Sequence, residues 1–162
     1  MVAGNLSNAY GGAGMSEQVL PIVVGSDHAG FEMKEYVKQY LVKKGVPFED
    51  AGAVSLDLSD DYPEFAFRVA KAVAGGEFKR GILLCGSGIG ASIAANRVKG
   101  VRAALCTSPD MARMSRLHND SNVLVLGGRT TTQPMVEQII DAWLNGGFEG
   151  GRHQKRIEQM DL

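Results

Sequence analysis

The sequence predicts an α/β fold, a Rossmann-like three-layer sandwich whose middle layer is a five-stranded parallel sheet. Three observations carry that prediction. The apolar run Gly81–Cys85 shows no polar alternation, the pattern of a strand buried on both faces, and the apolar run Leu20–Gly25 reads as another buried strand. Stretches of helical periodicity alternate with these runs, and short loops separate them. One of those loops, Gly86-Ser87-Gly88-Ile89-Gly90, turns a strand directly into a helix. Such a loop exposes backbone N–H groups at a positive helix end, where phosphates or oxyanions are stabilised.

Taken in order, Leu20–Gly25 is the first strand and delivers Ser26-Asp27-His28 to its carboxyl end. The helix that follows carries Phe31, Met33, Tyr36, Val37, Tyr40 and Leu41 as its apolar stripe, with Gly45 as its stop. Val46–Asp50 is a short second strand, and Gly52–Asp61 is a polar, acidic loop. Glu64–Ala74 presents Phe65, Val69 and Val73 on one helical face. Gly81–Cys85 is the third strand, and after the glycine loop Ala91–Arg97 resumes helical spacing, with Ile89, Ile93 and Ala94 on one side. Val101–Cys106 is the fourth strand. Ser108-Pro109-Asp110 supplies an N-cap, a first-turn proline and an acidic start to a helix bearing Met111, Met114 and Leu117. That helix ends at His118-Asn119-Asp120. Asn122–Leu126 is the fifth strand, followed by Gly127-Gly128-Arg129 and an amphipathic helix over Met135–Leu144. Gly146–Gly151 reads as a flexible joint before a short basic helix, Arg152–Met160.

Composition sets the outer limits. A chain of 162 residues is long enough for a core of its own, and residues 19–162 read as one domain. Residues 1–18, rich in Gly, Asn, Ser and Ala, read as a disordered tail without the basic start and apolar run of a signal peptide. A net charge of −1 gives no electrostatic reason to expect nucleic acid or a membrane surface. No apolar stretch approaches the ~20 residues of a membrane span. Two cysteines, both in strand-like runs, argue against a disulfide framework and fit a reducing cytoplasm.

Chemistry-bearing residues gather at strand ends. Asp27 and His28 follow the first strand, Cys85 and its loop end the third, and Arg129 follows the fifth. In a parallel sheet all these carboxyl ends share one edge, where open α/β sheets bind ligands. His118 ends a helix, which places it at the other edge unless its loop turns back. Each residue also has a plain structural role open to it. Cys85 is either a small buried hydrophobe or a thiol activated by the helix start that follows it. His28 and His118 can be hydrogen-bonded structural histidines, and Asp27 and Asp120 can be caps. Arg152 and Arg156 are either a solvated face or, with His153, a clamp for a phosphate. Gly86-x-Gly88-x-x-Ala91 matches a dinucleotide fingerprint, but it follows the third strand and no acidic residue ends the next one, so nicotinamide binding is a weak reading. The acids and histidines show no recognised metal-ligand spacing.

Six segments in register resemble type B ribose-5-phosphate isomerases, a family shared with galactose-6-phosphate isomerase subunits. They are Ser26–Phe31, Asp61-Tyr62-Pro63, the Cys85–Gly90 loop with Ala94–Arg97, Arg102-Ala103, His118–Leu124 and Gly150–Arg156. The resemblance implies aldose–ketose isomerisation of a sugar phosphate without metal or organic cofactor. It implies Cys85 as the base between C2 and C1, because the glutamate some members place after the loop is Ala91 here. Ser87 would assist at the hydroxyls, and backbone N–H groups of Gly86, Gly88, Ile89 and Gly90 would stabilise a cis-enediolate. His118 would open the furanose ring, Asp27 and Tyr62 would contact the sugar, and Asn119 would hold the enediol oxygens. His28, Arg129, Arg152 and Arg156 would bind phosphate. A homodimer, or a tetramer built from it, would have its site between subunits, with the closing helix reaching toward the partner. Hexose 6-phosphates remain an alternative substrate, and a non-catalytic nucleotide or phosphometabolite module remains an alternative class.

Overall fold

A computed structural model describes residues 20–161, so the tail expected over residues 1–18 lies outside the described part. Five strands form one parallel sheet: β1 (Ile22–Ser26), β2 (Phe48–Asp50), β3 (Gly81–Cys85), β4 (Ala103–Leu105) and β5 (Val123–Gly127), in the order β2-β1-β3-β5-β4. After β1 the chain moves outward to β2 and then crosses back to β3. The β1/β3 seam is therefore the point where strand order reverses, the place such sheets reserve for ligands.

Six α-helices cover the two faces: α1 (Phe31–Lys43), α2 (Tyr62–Ala74), α3 (Ile89–Ala95), α4 (Pro109–Asn119), α5 (Gln133–Asn145) and α6 (Arg152–Met160). Strand residues alternate between two cores. Ile22, Val24, Ile82, Leu84, Leu124 and Leu126 pack under α1, α4 and α5, with Leu41, Ile139, Ile140 and Trp143 fully buried there. Val23, Leu83, Cys85, Val123 and Val125 pack under α2 and α3, against Ala66, Val69 and Ala95. At roughly 25 cal/mol per Å² of buried apolar surface, these two layers dominate the stability of the fold.

Several elements start or stop a few residues from where the sequence places them. Pro63 sits in the first turn of α2, so that helix opens at Tyr62 rather than Glu64. The outer strands β2 and β4 pair on one side only and shrink to three residues each. Two apolar stripes are reassigned. In α3 the alanines Ala91, Ala94 and Ala95 face the sheet, allowing close approach, while Ile89 and Ile93 are 56% and 57% exposed. In α4 the buried face is Ala112, Ser115 and Arg116, and Met111 is exposed. Ser115 is satisfied by Ala112 O at 2.8 Å and by Ser121 Oγ at 2.8 Å, and Trp143 Nε1 donates to Ser121 Oγ at 2.9 Å.

The expected joint over Gly146–Gly151 is tied to α4 instead. Arg116 Nε donates to Gly146 O at 3.2 Å, and Glu149 N donates to Leu117 O at 3.0 Å. A buried cation holds the loop after β2: Lys34 Nζ donates to Asp50 Oδ2 at 2.6 Å and to Ala53 O at 2.7 Å. Among the described residues no helix is long and apolar enough to cross a membrane.

Candidate active site

The β1/β3 seam brings the first group of expected residues together. Asp27 closes β1 and caps a single 3₁₀ turn, His28–Gly30, accepting from Gly30 N at 3.0 Å through Oδ1. Its other oxygen, Oδ2, accepts from Cys85 Sγ at 3.3 Å across the seam. Gly88 takes φ +81° to begin α3, a conformation in which a side chain would be strained. Tyr62, at the start of α2, lies against Gly90, where a Cβ would sit 2.6 Å from the phenol Cζ. Arg129 is held beside the loop, because Gly128 N donates to Cys85 O at 2.7 Å and Arg129 N to Gly86 O at 3.0 Å. Ser87 is exposed, with its Oγ accepting from Ile89 N at 3.3 Å.

The electrostatics of Cys85 correct an expectation. Backbone N–H groups of Gly86 and Gly88 do favour its thiolate, as the helix start predicted. Burial and the Asp27 carboxylate outweigh them and push the thiol up to about 11. At rest Cys85 is therefore a protonated donor. His28 moves the other way: its hydrogen bond to Asp60 raises it above the usual histidine range, reinforced by the Asp60 and Asp27 charges and opposed by burial and Arg129.

A second group lies elsewhere. His118 and Asn119 end α4, and Asp120 then takes the left-handed conformation (φ 44°) that turns the chain back into β5. Asn122 N donates to Arg102 O and Asn122 O accepts from Gly81 N, so this turn sits at the amino ends of the strands. Cys85 ends β3, and a five-residue strand spans roughly 15 Å. His118 and Asn119 are thus not brought to Cys85 within one chain. They belong with α6 instead. The His118 and His153 rings stack with centroids 4.3 Å apart and planes 12° apart, and Glu149 lies 3.8 and 3.9 Å from their Nε2 atoms. His153 is buried, its Nε2 makes no hydrogen bond among the described residues, and burial followed by the His118 and Arg152 charges lowers it. Arg152 and Arg156 stand exposed on the same helix.

Among the described residues two clusters have donor atoms close enough to consider for a metal, His118–Glu149–His153 and Asp27–His28–Asp60. Stacked rings direct their in-plane lone pairs side by side, so the first pair must rotate before both nitrogens meet one ion. In the second, His28 Nδ1 is already engaged by Asp60 Oδ1 at 2.6 Å. Asp60 was not among the expected site residues. It falls in an acidic loop with no periodicity, and only the fold reveals that it reaches His28.

Residues 22–160 match the ribose/galactose isomerase family. The chain belongs to that family. It is 49% identical over 139 residues to ribose-5-phosphate isomerase B of Escherichia coli, a match covering 86% of this chain and 93% of the relative. The fold superposes on a ribose 5-phosphate isomerase from Thermotoga maritima with a TM-score of 0.85 and 50% identity, covering 88% of this chain and 97% of that one. A ribose-5-phosphate isomerase B from Mycoplasma genitalium with bound ribulose-5-phosphate gives 0.83 and 43%, covering 87% and 93%. The match spans both the Asp27–Cys85 pair at the switch point and the second cluster on α4 and α6.

Proposed function

We propose that this chain interconverts ribose 5-phosphate and ribulose 5-phosphate through a cis-enediolate, as the pentose phosphate pathway requires. The observation that carries the reading is the Cys85–Asp27 contact beneath the glycine loop. Asp27 takes the thiol proton, and the resulting thiolate removes the proton from substrate C2. The electron pair left behind forms the enediolate, the O2 proton passes to O1, and the Cys85 thiol returns its proton to C1, leaving the carbonyl at C2. Buried acid and base groups of this kind contribute about 10²–10⁴-fold each. N–H groups of Gly86–Gly90 face the developing oxyanion, a term worth roughly 3 kcal/mol per donor. Ser87 and Tyr62 contact the sugar, while His28 and Arg129 hold the phosphate by uniform binding.

Ring opening and the remaining phosphate contacts call for a second copy. His118, Asn119, Arg152 and Arg156 lie at the other sheet edge and cannot reach the same sugar from within the chain. A homodimer supplies His118 of the partner subunit to open the furanose and Arg152 of the partner subunit to close the phosphate clamp. The two buried, unpaired cysteines agree with a reducing, cytoplasmic setting.

The experiment is turnover of ribose 5-phosphate in EDTA with no added cofactor, beside allose and galactose 6-phosphates, for the wild type and Cys85→Ala. Pentose turnover lost by about 10³-fold or more in the variant supports the reading. Wild-type preference for a hexose phosphate moves the substrate and keeps the chemistry. Full turnover in Cys85→Ala removes Cys85 as the base, and no turnover with any sugar leaves a binding module.

A further inference from the structure

We propose that Asp60 is a positioning residue for the phosphate end of the site, gripping His28 through both its backbone N–H and its ring Nδ1 so that Nε2–H is presented to the substrate phosphate. The inference rests on His28 being a phosphate ligand, as read above, and extends the site into a loop that carries no other expected residue before Asp61-Tyr62.

The geometry is specific. Asp60 Oδ1 accepts from His28 N at 3.0 Å and from His28 Nδ1 at 2.6 Å, across 32 residues of chain. Two bonds to one oxygen fix both the position and the rotation of the imidazole, and an acceptor on Nδ1 sets which nitrogen is left for a ligand. The ring is about a quarter exposed, whereas the Asp60 side chain is only 8% exposed. Asp60 Oδ2 is buried and has no partner among the described residues, where the carboxylate's side-chain hydrogen bonding goes to His28 alone. The loop is built to deliver it. Asp57 Oδ1 accepts from Ser59 N at 2.9 Å and Ser59 Oγ at 2.6 Å, and Asp60 N returns to Asp57 O at 3.2 Å. That tight turn aims Asp60 back at the 3₁₀ turn after β1.

The charges around the ring agree with a cationic phosphate contact. Asp60 and Asp57 from the loop and Asp27 from its own turn favour the imidazolium, and Arg129, from the segment after β5, opposes it. A charge-assisted bond to a phosphate is roughly twice as strong as a neutral one. Without Asp60 the ring would be free to rotate and would lose its proton at lower pH, exactly where a sugar phosphate is a dianion.

The test compares Asp60→Asn with His28→Asn, using inorganic phosphate as a competitive inhibitor and ribose 5-phosphate as substrate. Asparagine keeps an oxygen for the His28 N–H and removes the charge. For Asp60→Asn, KM and the phosphate Ki rise together about fivefold to tenfold while kcat stays within about twofold, because only uniform binding is lost. The rise of KM with pH also begins at lower pH than in the wild type. Nitrogen-15 NMR of the unsubstituted protein gives a second readout that needs no variant to fold: Nδ1 stays protonated through neutral pH, and added phosphate shifts Nε2. A His28→Asn variant with unchanged phosphate Ki overturns His28 as ligand, and the functional reading of that residue with it. A raised Ki in His28→Asn beside an unchanged Ki and pH profile in Asp60→Asn overturns the role of Asp60 alone. A fall in thermal stability without either change makes Asp60 a loop tether only.

Discussion

His118 and His153 stack face to face at 4.3 Å, which joins the end of α4 to α6 as one unit. Glu149 is bonded to α4 through Leu117 O and lies beside both rings, so His118, Arg152 and Arg156 move together. In the proposed dimer, the residues expected to open the sugar ring and close the phosphate clamp would therefore come as a group from one subunit.

Subunit mixing tests that arrangement. Cys85→Ala and His118→Ala are each expected to be nearly inactive alone. If the site is shared between chains, refolding the two in equal amounts gives half heterodimers, each with one intact site of two, and about a quarter of wild-type turnover returns. Recovery of no activity would place the whole site within one chain.

The Asp27 carboxylate has two opposed effects on Cys85, and Asp27→Asn separates them. It removes the charge that holds the thiol up, so alkylation of Cys85 by iodoacetamide at pH 8 becomes faster. It also removes the proton acceptor, so kcat falls by about 10²-fold. Peptide mass mapping distinguishes Cys85 from Cys106, which burial also pushes up to about 11. Alkylation and turnover changing in the same direction would sink the proton transfer from Cys85 to Asp27.

Lys34 is fully buried, and its ammonium is bonded to Asp50 and to Ala53 O. Lys34→Met leaves the Asp50 carboxylate with Lys38 and the Gly52 N–H only, at a cost of about 3 kcal/mol in urea unfolding at pH 7. Burial alone would raise Asp50, but its bonds to Lys34, Lys38 and Gly52 outweigh it and hold the carboxyl below its usual value. A depressed carboxylate contributes stability above its unfolded value that is lost as pH falls through the folded one. The difference between wild type and Lys34→Met therefore shrinks below about pH 4. A difference independent of pH would mean that packing, not the ion pair, sets the cost.

The sheet was legible because its strands are unbroken apolar runs, and Gly81–Cys85 appears in the structure at the residues its composition indicates. Edges were harder: Leu20, Pro21, Val101 and Cys106 look strand-like, yet the paired ladder excludes them. The buried faces of α3 and α4 depart from their apolar stripes because size overrides hydropathy. Alanine packs closely enough to bring α3 onto the sheet, and Arg116 is buried because Ser121 O and Gly146 O satisfy it. Within the site, Asp27, Cys85 and Arg129 could be placed by topology alone. The lift in the Cys85 thiol could not, since it depends on burial in the folded sheet and on a carboxylate 58 residues away, and neither could Asp60, whose partner lies 32 residues back.

The thiol on β3 also bears on how the enzyme survives oxidants. Peroxide attacks thiolates, and a group near 11 is ionised to about one part in ten thousand at pH 7. Cys85 is moreover only 8% exposed. Between encounters with sugar it is a slow target for sulfenic acid formation, and so is Cys106 on the opposite core. The site thus holds a sulfur at the head of its glycine loop without the usual vulnerability, because burial, together with the Asp27 carboxylate proposed to accept its proton, keeps that sulfur protonated at rest.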